Sequence, residues 1–163
     1  MALRKAHLIP VIFTAMAVLA IGSIRYFYYP VVISGSSMSP TLHDGDIYFT
    51  DTNITKEKLT YETIIVFESH ENIFKKYVKR IAGLPGDRIV IRDKMLYRNG
   101  ERVGRYGNIL DPGDYGKETE IPEDEYFVLG DNVNISNDSR KIGTIKFSDV
   151  KAILREDEAF RLP

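Results

Sequence analysis

The sequence predicts a mostly β domain preceded by one N-terminal transmembrane helix. Three observations carry that prediction. Residues 8–24 form an uncharged, largely apolar stretch close to the length a bilayer requires. Beyond Pro30 the apolar residues fall into short runs rich in Val, Ile, Tyr and Phe, which suit a pleated sheet. Between the runs stand Asp44-Gly45, Pro85-Gly86, Asn99-Gly100 and Pro112-Gly113, pairs that favour turns. A chain of 163 residues has room for one domain with a real core. The expected division is a cytoplasmic tip with anchor over residues 1–29 and an extracytoplasmic domain over residues 30–163.

Arg4, Lys5 and His7 precede the apolar stretch, and Tyr26, Phe27, Tyr28 and Tyr29 follow it, where an interfacial aromatic belt would lie. As a helix the stretch rises about 25 Å, slightly under the roughly 30 Å of hydrocarbon, a gap that snorkelling or local thinning closes. The basic residues place the N-terminus in the cytoplasm and the rest across the membrane, although Arg25 weakens the asymmetry. A cleaved signal peptide, a buried core helix and a surface helix are competing readings. Ala15 with Ala17, or Ala17 with Ala20, offers a small-residue cleavage pattern. Apolar sequence continues past both pairs without the polar region that precedes a cut, which favours a retained single-pass anchor.

Strands are expected at residues 31–34, 46–50, 63–68, 74–82, 88–92, 94–98, 126–129 and 150–154. Asn99-Gly100, set between the run ending at Arg98 and residues 101–103, signals a two-residue type I′ hairpin. Residues 103–125 hold Gly104, Gly107, Pro112, Gly113, Gly116 and Pro122 and read as loop, either functional or an excursion with its own hairpin. Residues 155–163 read as a frayed end.

Charge and composition exclude several classes. Lys and Arg number 22 against 23 Asp and Glu, so no electrostatic footprint for nucleic acid exists. The absence of cysteine removes disulfides, thiol nucleophiles and thiolate metal sites. There is no phosphate-binding P-loop, no HExxH and no dinucleotide fingerprint, so neither a metal nor an organic cofactor is expected.

Three segments carry candidate chemistry. SGSSMSPTL, residues 34–42, clusters four serines just past the proposed membrane surface, and taken alone also fits a polar linker. A nucleophilic serine needs a base. His7 precedes the anchor, while His43 and His70 sit in polar turn-like contexts, so a lysine whose ammonium is disfavoured by burial is the better candidate. Lys79 lies in YVKRIAGLPGD, residues 77–87, where alternation sets it with Tyr77 and Ile81 on one strand face, opposite Val78, Arg80 and Ala82. The same pattern also fits a half-exposed strand. GDNVNISNDSR, residues 130–140, is dense in Asn, Asp and Ser and alone reads as an Asx-rich loop.

Together the three segments resemble, in order and spacing, the boxes of bacterial type I signal peptidases, the S26 family of serine peptidases. The resemblance covers nearly the whole chain. It implies a β-rich catalytic domain of the kind shared with SOS-repressor proteases, with Ser37, before Met38, as nucleophile and Lys79, before Arg80, as base. It implies that Ser136 hydrogen-bonds the lysine, and that Arg80, Asp131, Asp138 and Arg140 support the site. Two departures stand out. Tyr61-Glu62-Thr63 occupies the place of the family's Arg-Gly-Asp triplet, and Gly35 stands two positions before the nucleophile. Oxyanion or substrate contacts therefore fall to Gly35, Ser36 or Met38 and their backbone N–H groups.

The implied activity is acyl transfer on secreted pre-proteins whose signal peptides carry small residues at the first and third positions before the cut. The substrate would bind as an added strand at the membrane surface, with the lipid bilayer as partner and no nucleic acid. The implied location is the cell membrane. A self-cleaving Ser–Lys regulator is a rival, disfavoured by the anchor and by the lack of a helix-turn-helix segment. A catalytically silent membrane-anchored binding protein is another, disfavoured because both Ser37 and Lys79 are kept.

Overall fold

A computed structural model describes residues 8–69 and 75–160. Its first element is helix α1, Leu8–Phe27. Apolar side chains project from it into solvent, with exposures of 61% at Val11, 70% at Phe13 and 68% at Val18. Among the described residues no helix is long and apolar enough to cross a membrane, so the span expected over residues 8–24 is not part of the established fold. Arg4, Lys5, His7, His70 and Phe74 lie outside the described residues.

Strand β1, Tyr28–Val32, begins where α1 ends, earlier than the strand expected at 31–34. Pro30 does not exclude it from the sheet, because β1 pairs on one side only, with β2, Ile47–Asp51. An edge strand tolerates a residue without an N–H. The remaining strands are β3 Ile64–Glu68, β4 Lys76–Gly83, β5 Arg88–Arg92, β6 Met95–Arg98, β7 Glu101–Gly107, β8 Thr119–Glu120, β9 Glu125–Leu129, β10 Ile145–Lys146 and β11 Val150–Phe160. One helical turn, α2, spans Ser139–Ile142. Antiparallel pairings build a seven-stranded sheet in the order β1-β2-β11-β3-β4-β9-β10 and a four-stranded sheet in the order β7-β6-β5-β8. The mostly β class expected from sequence is the class observed.

The hairpin at Asn99-Gly100 forms as expected, with both residues at positive φ, 53° and 84°, and Arg98 opposite Glu101. A second two-residue turn, Asp93-Lys94, has both residues left-handed, and Lys94 therefore belongs to the turn instead of the following strand. The loop expected at 103–125 is an excursion: β7 runs to Gly107, and β8 returns to pair with β5. Tyr106, Ile109, Tyr115 and Ile121 are buried along it, single anchors too widely spaced to register as an apolar run. The frayed end expected at 155–163 is also corrected. β11 continues to Phe160, because after a register shift it pairs with β2 at Ala159 and Phe160.

Three apolar clusters hold the domain. Ile89, Leu96, Tyr106 and Phe127 centre one, against the smaller sheet. Ile65, Phe67, Ile81 and Val128 centre the second. The third contains Ile33, Met38, Leu42, Tyr48, Ile64 and Leu154 and underlies the turn that carries Ser37.

Candidate active site

The turn after β1 is fixed from both sides. Gly35 adopts φ 86°, a left-handed conformation open to glycine, and its N–H donates to Asp44 Oδ1 at 2.6 Å. Met38 and Leu42 are 2% and 0% exposed, and Thr41 and Leu42 both donate backbone N–H bonds of 3.0 Å to the Met38 carbonyl. With Met38 driven into the core, Ser37 is left half-buried on the wall of a groove of about 820 Å³. The Ser37 carbonyl accepts the Asn132 N–H at 3.0 Å, tying the 130–140 loop to the same turn.

Lys79 comes from β4, opposite Ile65 of β3, and is 3% exposed. Its Nζ donates to Ser37 Oγ at 2.7 Å and to the Val78 carbonyl at 2.8 Å. The Tyr77 ring stands 5.7 Å from the same nitrogen. Burial lowers the Lys79 pKa to about 8, against the opposing attraction of Asp138 and Asp131. Among the described residues the one histidine is His43, exposed in the turn after the serine segment, 3.6 Å from Asp46.

The supporting pairs sort themselves by strand face. Arg80, next to Lys79, points the other way and donates to both carboxylate oxygens of Asp131 at 2.9 and 2.8 Å. It also donates to the Glu62 carbonyl at 2.9 Å and pairs with Glu156 at 2.7 Å. For Asp131 burial is outweighed by Arg80 and by the Thr41 hydroxyl, which hold its carboxyl below the usual range. Asp138, 0% exposed, caps α2 and pairs with Arg140 at 2.8 and 2.9 Å while accepting the Gly130 N–H at 3.1 Å. Arg140 extends to the Asp111 carbonyl at 3.1 Å, so this pair also pins the 103–125 excursion.

Two expected site contacts differ. Ser136 Oγ is buried but has no hydrogen-bond partner among the described residues, because the Lys79 amine is directed to Ser37 and Val78. It remains adjacent, since a Cβ on Gly130 would overlap both Ser136 Oγ and the Ser37 carbonyl oxygen. The Gly35 N–H is already taken by Asp44, the Met38 side chain packs in the core while still lining the groove, and Ser36 is exposed. Thr41, Asp44, Glu62, Asn132 and Glu156 were not anticipated. Of these only Thr41, Asn132 and their place inside the singled-out segments gave any signal. Among the described residues no three His, Asp or Glu side chains gather as a metal site.

A Ser–Lys contact buried at a groove is one of few ways to make a serine nucleophilic without histidine. A family model described as signal peptidase, peptidase S26, matches residues 5–155, the span that contains Ser37, Lys79 and every other residue of this site except Glu156. The chain belongs to the signal peptidase family, peptidase S26. Signal peptidase I of Bacillus caldolyticus is 36% identical over 157 residues, 83% of this chain and 82% of that protein. Signal peptidase I of Bacillus licheniformis is 35% identical over 136 residues, 76% of this chain and 72% of that one. Signal peptidase IB of Staphylococcus aureus strain COL is 34% identical over 142 residues, 74% and 72%. A signal peptidase I crystal structure from Enterococcus faecalis V583 superimposes with a TM-score of 0.49 at 32% identity, covering 59% of this chain and 96% of that one. As a member of the signal peptidase family the chain is a serine-type hydrolase of peptide bonds.

Proposed function

We propose that this signal peptidase family member removes signal peptides from secreted pre-proteins, with Ser37 as nucleophile and Lys79 as general base. The observation that carries this reading is the 2.7 Å contact between Lys79 Nζ and Ser37 Oγ in a site where the lysine is 3% exposed. In the neutral amine the Val78 carbonyl takes one N–H, which leaves the nitrogen lone pair free to face the serine hydroxyl. Ser37 Oγ attacks the scissile carbonyl as its proton passes to Lys79. Lys79 then returns that proton to the leaving amine. A water attacks the acyl-enzyme by the same route, restoring Ser37. Arg80–Asp131 ties the 130–140 loop to β4, Asp138–Arg140 braces that loop internally, and neither pair takes part in proton transfer.

The groove is bounded by β1 and the first half of β4, so a substrate lies along it as an extended strand, small side chains fitting where Met38 and Val66 line the floor. The preference for small residues at the first and third positions before the cut is part of the proposal. So is anchoring by α1, whose 20 residues rise about 30 Å and whose exposed apolar side chains suit lipid better than water. Such an anchor makes a single-pass cell-membrane protein with residues 30–163 outside the cytoplasm. Substituting Ser37→Ala or Lys79→Ala should lower pre-protein cleavage at least about a thousandfold without loss of fold. Near-normal cleavage by either variant would exclude the mechanism.

A further inference from the structure

The groove beside Ser37 has a charge pattern that acyl transfer does not require. Among the described residues three lysines line it, Lys75, Lys76 and Lys79, and no Asp or Glu does, although the chain has a net charge of −1. Lys79 is buried at the serine, whereas Lys75 and Lys76 are exposed. Lys76 reaches across the groove from β4, its Nζ 5.3 Å from the centre of the Tyr29 ring on β1. Lys75 stays on its own wall, 5.0 Å from the Tyr77 ring. The carboxylate opposite Lys76 in the β3–β4 ladder is Glu68, and it is paired with Lys151 at 3.2 Å. A cation held only over an exposed aromatic ring is weakly held, and a carboxylate entering the groove is a better partner for it.

Direction follows from the anchor. Tyr29 stands just after the end of α1 and touches Lys76, so this end of the groove is the one nearest the helix. A substrate whose own apolar segment lies in the same bilayer enters from that end and is cut at the other, beside Ser37. Strand residues advance about 3.3 Å each, so the substrate residue level with Lys76 lies about four positions before the cut, and the long lysine side chain sweeps about two more. We infer that Lys76, bridging the groove to Tyr29, selects acidic over basic side chains about four to six positions before the scissile bond. This rests on the peptidase reading of the Ser37–Lys79 site.

The test uses the full chain in detergent micelles at low salt, with two peptides identical except for Glu or Lys at the fifth position before the cut. The Glu peptide should show a kcat/KM roughly tenfold higher, and the gap should narrow at about 0.5 M salt. It should vanish in Lys76→Gln and reverse in Lys76→Glu, and it should be absent when the same charge is placed after the cut. Equal rates in the wild type, or a preference that Lys76→Glu leaves in place, would overturn the inference while Ser37-dependent cleavage stands. Cleavage that survives Ser37→Ala would instead remove the underlying reading, and the inference with it.

Discussion

In the proposed mechanism Lys79 must lose its proton before it can accept one from Ser37. With a pKa of about 8, roughly one molecule in ten is ready at pH 7, against about one in 2,500 for an ordinary lysine. The expected pH profile of kcat/KM therefore rises about tenfold per pH unit below pH 8 and levels above it. The same burial costs stability. Below about pH 8 the lysine is protonated in both folded and unfolded chains, and the folded state bears a penalty of about 3 kcal/mol. As pH rises from 8 toward 10.5 the folded chain releases its proton before the unfolded chain does, and the penalty disappears. Lys79→Met should accordingly raise the thermal midpoint at pH 7 and lose most of that gain by pH 10; an equal gain at both would contradict the desolvated lysine. At this scale the sequence supplied candidates only. Lys79 and Ser37 each had an unremarkable alternative, and their contact joins residues far apart in the chain.

At the scale of elements the sequence was most legible where the signal is local. Alternation on β4 correctly set Lys79 beside Tyr77 and turned Arg80 to the other side, where it meets Asp131. Asn99-Gly100 gave its hairpin because two left-handed residues are needed and both tolerate them. Asp93-Lys94 makes a similar turn without a glycine, held by the β5–β6 ladder, and so left no mark. Ser136 shows the limit of a motif: its position beside Ser37 follows from the loop, but its hydroxyl contact does not. Gly130, between β9 and that loop, has no room for a methyl group, since the added carbon would meet Ser136 and the Ser37 carbonyl. Gly130→Ala should lower kcat at least about tenfold by displacing Ser37, with circular dichroism unchanged. A variant of wild-type kcat would show that the two loops shift independently of the serine.

For the molecule as a whole, α1 passes directly into β1, so the helix proposed as anchor and the groove wall are one continuous piece of chain. Full-length protein should float with phospholipid vesicles on a density gradient, and a chain starting at Tyr28 should not; equal flotation would place membrane binding in the β domain instead. The sequence by itself determined the β class and the main turns, because strand alternation and turn chemistry act over a few residues, while the three candidate segments stood out only through their joint resemblance to a family. Tertiary structure decided the rest. It extended β11 to Phe160 through pairing with β2, assigned Asp131 to Arg80 and Asp138 to Arg140, and left the Ser136 hydroxyl without a partner among the described residues. It also turned Ser37 and Lys79 from two polar residues into a buried contact. Burial and pairing depend on which distant segments close around a side chain, and that is a property of the packed sheets and not of any local run of residues.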